Sequence, residues 1–190
     1  MRRYAWRGIW LVALGLAMLA RSAAGMGDQP AGAGPAAEPP WPVVNSLSGE
    51  EVRGLRDGEG MGLARAAELN GYPGPIHVLE AAREGKIHLE PEQRGAIERI
   101  HAAMKAEARA LGEQILAREA RVEAGFREKR MAEGDLTREV EDIGRQRTAL
   151  RLAHLRAHLL TASLLRPEQI EHYNQLRGHA SQAPDRRHGH

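Results

Sequence analysis

Two histidines, His154 and His158, lie four residues apart in a segment whose apolar spacing is helical. Residues separated by four positions lie on one side of an α-helix, so both imidazoles can bind the same metal ion. Zn, Ni, Co and Cu ions all bind imidazole nitrogen. His101 and Met104, on the preceding predicted helix, complete such a site if the two helices pair in that register. The sequence also leaves open that the pair consists of packed, hydrogen-bonded histidines between two helices.

The other chemistry-bearing residues do not form the motif of an enzyme. The chain has no cysteine and no Gly-x-Ser-x-Gly, phosphate-loop or His-Glu-x-x-His sequence. Gly58, Gly60 and Gly62 lack the preceding strand and the third glycine of a dinucleotide-binding loop. His188 and His190 lie in a polar end segment, where adventitious metal binding is expected. We therefore expect a protein that is not an enzyme and requires no cofactor, with Zn, Ni, Co or Cu as candidate ligands.

The charge of the chain does not favour nucleic acid as a partner. The sequence carries 27 basic and 25 acidic residues, and four of the arginines fall within residues 1–24, which contain no acid. Residues 25–190 therefore hold 23 basic and 25 acidic side chains. A nucleic-acid-binding protein needs an excess of positive charge, and the four aromatic residues of this part are too few for base stacking. We expect no nucleic-acid partner.

Residues 1–24 have the organisation of a signal peptide. Three arginines precede a 13-residue apolar stretch, and the small residues 22–24 favour cleavage after Ala24. The stretch is shorter than the roughly 20 residues that span a bilayer, and an uncleaved N-terminal membrane anchor is the alternative. Residues 25–46 are rich in Pro, Gly and Ala, which is typical of a linker, and residues 179–190 have the composition of a disordered tail. The sequence thus predicts an exported, periplasmic protein.

Residues 47–178 follow a helical period, which predicts an all-α domain. Ser48 and Glu51 form a capping box that opens a short helix. Two more short helices are expected, over residues 61–69 and 76–84. The short helices are expected to flank a pair of much longer ones.

The two long helices are expected to form an antiparallel hairpin. The first runs from Pro91 to about Met131, and Gly134-Asp135 separates it from the second. The second helix carries two apolar faces, and a hairpin alone buries only one of them. One face contains Leu136, Val140, Ile143 and Leu150, and the other contains Leu152, Leu155 and Leu159. The second face predicts either a homodimer or an additional packed helix.

The phrase Leu-x-Pro-Glu-Gln occurs twice, once at each end of the hairpin, and the second copy begins 76 positions after the first. Each copy is expected to begin a helix, because proline suits the first turn, glutamate suits the positive end of the helix dipole, and glutamine can bond back to the capping backbone. The leucine is expected to pack against the new helix. The copies are Leu89, Pro91, Glu92 and Gln93, and Leu165, Pro167, Glu168 and Gln169.

These paired phrases around a charged helical hairpin resemble the Spy/CpxP (LTxxQ) family of periplasmic stress proteins, to which the heavy-metal proteins ZraP and CnrX are related. Residues 58–82 and the sequence Tyr173-x-x-Leu176-Arg177-Gly178 resemble its heavy-metal-sensor-like members. Glu90 and Arg166 stand where the family has threonine, so capping by that hydroxyl is not expected here.

The resemblance implies a hairpin that dimerises into a curved cradle. It implies an ATP-independent chaperone or envelope-stress accessory protein that binds unfolded or misfolded periplasmic proteins, with a membrane stress sensor as a further partner. The alternative that it implies is a periplasmic heavy-metal-binding sensor or resistance protein. For that alternative, His154 and His158 are the candidate ligands.

Overall fold

The computed structural model describes residues 44–178, which form six α-helices and no β-strand. The predicted all-α fold is therefore confirmed. The predicted signal peptide, most of the predicted linker and the predicted tail lie outside the described residues. None of the described helices is both long and apolar enough to cross a membrane. In chain order the helices are α1 (Gly49–Asp57), α2 (Arg65–Glu68), α3 (Pro75–Arg83), α4 (Pro91–Arg127), α5 (Glu133–Leu164) and α6 (Pro167–Leu176).

The long helices α4 and α5 pack side by side as the predicted antiparallel hairpin. α4 has 37 residues and α5 has 32, so α4 is about 55 Å long. The side-chain amides of Gln114 and Gln146 are hydrogen-bonded at 3.0 Å. Nearer the turn, Arg118 donates a hydrogen bond to Glu139 at 2.9 Å. These bonds show the register in which residues of α4 face residues of α5.

Two helix boundaries differ from the sequence prediction. The turn between α4 and α5 contains Lys129, whose φ of 54° is left-handed and ends the first helix. Gly134 and Asp135 instead lie in the first turn of α5, where an acidic side chain stabilises the positive end of the helix dipole. The helix predicted over residues 61–69 is reduced to the four residues of α2, because Met61 has a φ of 42° and cannot continue a helix.

α1 packs across the middle of α4 through a glycine. A Cβ atom at Gly112 would lie 1.9 Å from the Leu55 carbonyl oxygen, so the two backbones are in direct contact. The predicted capping box of α1 is present, with Ser48 Oγ accepting a hydrogen bond from the Glu51 N–H at 3.2 Å. The contact between Leu55 and Gly112 holds the loop that follows α1 against α4. The core at this place contains Val44, Leu55, Ala108, Ile115, Leu116 and Leu150.

The segment that precedes α1 is attached to α4 by one carboxylate. Val44 is buried in the core, and Glu123 accepts hydrogen bonds from the backbone N–H and the side-chain amide of Asn45, both at 2.7 Å. Glu123 also accepts from the Ser46 N–H at 3.1 Å. The bond from the Asn45 side chain, followed by that from Ser46, lowers the pKa of Glu123 below its usual value.

α5 buries one face against the hairpin and leaves a second face open. Ile143 and Leu150 are buried, whereas Val140, predicted on the same face, is 53% exposed. The second predicted face is uncovered at two of its three positions, since Leu152 is 49% and Leu159 is 57% exposed, while Leu155 is partly buried. Within residues 44–178 no additional helix covers it, so the described part of the chain does not provide the packed helix that was one of the two expectations.

Candidate functional site

His154 and His158 line a cavity of about 370 Å³. α5 contributes both histidines, α2 contributes Glu68, and the loop after α1 contributes residues 58–62. His101 and Met104 of α4 also line it, so all four residues that the sequence suggested as metal ligands lie on one cavity. The remaining contributions are Ala64, Lys105 of α4, and Gly74, Pro75, Ile76 and His77 at the start of α3.

The ring of His158 is held by the Tyr72-Pro73-Gly74-Pro75 turn. Its Nδ1 donates a hydrogen bond to the Tyr72 carbonyl oxygen at 2.8 Å, because a carbonyl oxygen only accepts. Pro73 is fully buried, and a Cβ atom at Gly74 would lie 2.9 Å from His158 Cε1. With the proton on Nδ1, the lone pair is on Nε2. A backbone carbonyl that orients an imidazole in this way is the usual support of a metal-binding histidine.

The Nε2 atoms of both histidines lack hydrogen-bond partners within residues 44–178. The acid nearest to His158 Nε2 is Glu68, at 4.0 Å, which is too far for a hydrogen bond. His154 is only 4% exposed, and its Nε2 is buried without a partner in this part of the chain. A buried polar atom without a partner costs about 1–3 kcal/mol. With the His154 proton on Nδ1, a metal ion bound to Nε2 would remove that cost.

The surroundings of His154 and His101 favour the uncharged form of these two imidazoles. Burial lowers the pKa of His154 below its usual value, and His158 and Lys105 add to the shift because they disfavour a further positive charge. Burial also lowers the pKa of His101, with Lys105 acting in the same direction and Glu80 opposing it. Metal ions bind the neutral imidazole. Burial therefore favours the ligand form of His154 near neutral pH.

The donors that fit a metal ion here are few. Within residues 44–178, no three His, Cys, Asp or Glu side chains are grouped so that they could hold one ion. His101 therefore lines the cavity without forming such a group with the pair on α5. What remains is an Nε2 atom from each of His154 and His158, with the thioether of Met104 on the facing helix. Structural zinc sites usually have four protein ligands and catalytic zinc sites three, so this set is small for zinc.

The sequence prediction does not include Glu68, Gly74 or His77, which also line the cavity. The Tyr-Pro-Gly-Pro sequence gives a local signal for Gly74, because two prolines around a glycine predict a rigid turn. Which group that turn approaches depends on how α3 packs against α5. His77 is already engaged within α3, since its Nδ1 lies 3.1 Å from a Glu80 carboxylate oxygen.

A second arrangement joins the two Leu-x-Pro-Glu-Gln phrases, where α4 begins and α5 ends. The side-chain amides of Gln93 and Gln169 exchange two hydrogen bonds, at 3.0 and 3.1 Å. Gln93 Nε2 also donates to the Leu164 carbonyl oxygen, and Gln169 Nε2 donates to the His88 carbonyl oxygen, each at 2.7 Å. We call this pair the glutamine clasp. It ties together chain segments that are 76 residues apart.

Each glutamine of the clasp also bonds back to the start of its own helix, as predicted. Gln93 Oε1 accepts from the Glu90 N–H at 3.1 Å, and Gln169 Oε1 accepts from the Arg166 N–H at 2.8 Å. The side chain of Arg166 cannot accept a hydrogen bond. It therefore cannot cap the start of α6 in the way that the threonine hydroxyl of the family motif would.

The remaining residues of the two phrases lie as the sequence predicts. Pro91 begins α4 and Pro167 begins α6, with a glutamate in each first turn. Leu89 is 5% and Leu165 is 7% exposed, so both leucines are core residues. The core that they join also contains Val78, Ile87, Ile97 and Tyr173.

A larger cavity, of about 770 Å³, lies at the turn between α4 and α5. Arginines surround it, but they are paired with carboxylates and offer little free positive charge to an anionic ligand. The ion pairs are Arg121 with Glu139, Arg127 with Glu123 and Glu128, Arg130 with Glu128, and Arg138 with Asp135.

Comparison with known families detects the part of the chain that carries both phrases. Residues 80–177 match the LTXXQ motif family, and this range spans α4, α5 and α6 and more than half of the chain. This chain belongs to the LTXXQ motif family. The family is non-enzymatic, and membership indicates a Spy/CpxP-like periplasmic stress or metal-related protein. No curated protein and no solved structure matches the chain.

The family match does not include the whole cavity. Glu68 and the turn at residues 72–75 precede the matched range, whereas His154 and His158 lie within it. The cavity therefore combines helices that the family shares with a segment that the match does not reach.

Proposed function

We propose that this chain is a periplasmic metal-binding protein of the stress-response type, which senses or buffers a heavy-metal ion held between His154 and His158. The observation that carries the proposal is the buried Nε2 of His154, which has no hydrogen-bond partner within residues 44–178 and lines the same cavity as His158. A pair of packed, hydrogen-bonded histidines accounts for the bond from His158 Nδ1 to the backbone. That interpretation does not explain why the Nε2 atoms of both imidazoles lack a hydrogen-bond partner within residues 44–178.

The test is metal titration of the purified chain with Zn, Ni and Co, and with Cu(I) under anaerobic reducing conditions. The proposal expects one ion to bind with a micromolar or lower Kd. A His154→Ala/His158→Ala variant should bind that ion about 100-fold more weakly, as expected when metal-supporting groups are lost. The matched control is His188→Ala/His190→Ala, which removes two histidines of the predicted tail and should keep the affinity. Equal affinity of the unaltered chain and the cavity variant would refute the proposal.

A second candidate function is an ATP-independent chaperone or envelope-stress accessory protein. It is favoured by the leucine stripe, which we define as Leu152, Leu155, Leu159 and Leu160 of α5. Leu152, Leu159 and Leu160 are 49%, 57% and 46% exposed. Large apolar side chains grouped on one helix face are typical of a protein-binding surface. We propose that the stripe binds unfolded or misfolded periplasmic proteins and also forms the contact between two copies of the chain.

Light scattering of a denaturing client without ATP tests this second candidate. The unaltered chain should suppress aggregation at equimolar ratio, and Leu152→Gln/Leu159→Gln should suppress it less. Leu176→Gln is the matched control, because Leu176 is 44% exposed but lies on α6. Sedimentation of the same proteins should show a dimer that the stripe variant loses. A stripe variant that protects the client and dimerises as well as the control would exclude this surface.

A further inference from the structure

We infer that the cavity selects Cu(I), held by the Nε2 atoms of His154 and His158 and by the thioether sulfur of Met104. This inference rests on the proposed function, because it names the ion that the same two histidines would bind. It follows from three properties of the cavity: the position of Met104, the number and kind of donors, and the charge of the lining.

The register of the hairpin brings Met104 opposite the histidine pair. Gln114 of α4 is hydrogen-bonded to Gln146 of α5 at 3.0 Å. The helices are antiparallel, so the residue ten positions before Gln114, which is Met104, is level with the residue ten positions after Gln146, which is Arg156. Position 156 lies midway between the two histidines in the sequence, and Met104 lines the same cavity as both.

The other methionine of the lining is engaged elsewhere. A Cβ atom at Gly54 would lie 2.3 Å from Met61 Sδ, so the sulfur of Met61 packs directly over Gly54. Met61 is also 42% exposed, whereas Met104 is partly buried. Met104 is therefore the thioether donor, and Met61 is a natural control.

The donor set matches a soft ion with few ligands. Thioether sulfur favours Cu(I), and imidazole suits copper as well as zinc and nickel. A zinc site needs three or four protein ligands, yet residues 44–178 contain no group of three His, Cys, Asp or Glu side chains placed for one ion. Cu(I) forms stable complexes with fewer donors than Zn(II), and one of them can be a thioether. Two imidazoles and one methionine thus satisfy Cu(I), whereas Zn(II), which takes its protein ligands from Cys, His, Asp and Glu, would have only the two imidazoles.

The charge of the cavity fits a monovalent ion. The three proposed donors are neutral, so a bound ion keeps its own charge. Glu59, Glu68 and Lys105 are the charged side chains of the lining, and together they carry one negative charge. The Glu68 carboxylate lies 4.0 Å from His158 Nε2, close enough to balance a single positive charge. A divalent ion would leave one charge uncompensated in a partly buried site, and burying an uncompensated charge is costly.

Competition with a chromogenic Cu(I) chelator under anaerobic conditions tests the inference on the full chain. We expect one Cu(I) per chain and a Kd at least about 100-fold lower than that for Zn, Ni or Co, as the ligand preference of thioether sulfur indicates. Met104→Leu should weaken Cu(I) binding by at least about tenfold, while Met61→Leu should leave it unchanged. X-ray absorption at the copper edge should show both nitrogen and sulfur scatterers, and the sulfur should disappear in Met104→Leu.

Each outcome separates this inference from the proposed function. Tighter binding of Zn, Ni or Co than of Cu(I), with loss in the double histidine variant, would overturn the copper assignment and support the metal-binding function. Cu(I) binding that is equal in Met104→Leu and Met61→Leu would remove the methionine from the site. If no ion binds the unaltered chain, both proposals fail.

Discussion

Replacing Gln169 by alanine tests how much the glutamine clasp stabilises the fold. Gln169 is 7% exposed, and its amide takes part in four hydrogen bonds, two with Gln93, one with the His88 carbonyl and one with the Arg166 N–H. Each such bond contributes a net of about 0.5–1.5 kcal/mol, and each buried partner left unpaired costs about 1–3 kcal/mol. Water reaches the partly exposed partners, so we expect a loss of about 2–4 kcal/mol in the free energy of unfolding.

Urea unfolding followed by circular dichroism at the helical bands measures this loss. Gln114→Ala is the matched control, because Gln114 makes one exposed hydrogen bond to another glutamine of the hairpin and should cost no more than about 0.5 kcal/mol. In the double variant Gln93→Ala/Gln169→Ala, the two losses should not add, and the coupling energy should be about 1–3 kcal/mol. A Gln169→Ala loss no larger than that of Gln114→Ala would show that the clasp does not hold the ends of the hairpin together.

Three further predictions concern the cavity and the entry of the chain into the domain. Gly74→Ala places a methyl group against the His158 ring, so it should weaken metal binding about 10–100-fold by titration and leave the helical content unchanged. The pKa of His154 is lowered in the folded state, so below its usual pKa of about 6.5 the unfolded chain binds a proton on this group more readily than the folded chain does. The free energy of unfolding should therefore fall as the pH drops through about 6.5, by at most about 1.4 kcal/mol per pH unit from this group. Subtracting the profile of His154→Leu isolates that slope, and identical profiles would contradict it. Glu123→Gln removes the charge that accepts three hydrogen bonds from Asn45 and Ser46, so limited proteolysis should cut before α1 faster than in the Glu119→Gln control; equal rates would refute this attachment.

The sequence predicted the helices more reliably than their ends. Proline and a capping glutamine locate the starts of α4 and α6 because these interactions act within one turn of helix. The turn of the hairpin was misplaced, since Gly134 and Asp135 are compatible with a first helical turn while Lys129, an ordinary helix former, takes the left-handed conformation. Local propensity is weak compared with the packing of two long helices, and that packing decides where the first one ends.

The candidate site was predicted in part. The spacing of His154 and His158 is a property of one helix, and it correctly places both imidazoles on one face. Glu68 and the turn that holds His158 were not predicted, because the Tyr72 carbonyl and the His158 ring are 86 residues apart in the chain. Their meeting depends on how α3 packs against α5.

The sequence by itself determined the helical period, the paired helix starts and the position of the two histidines on one side of a helix, because each depends on residues only a few positions apart. Only the tertiary structure decided that Gln93 meets Gln169, that Met104 lines the same cavity as the histidines and that Leu152, Leu159 and Leu160 stay exposed. These pairings join residues distant in the chain, and they are fixed by the register of α4 against α5 and by the close approach of α1 at Gly112. Register is a property of two packed surfaces together, and neither helix specifies it alone.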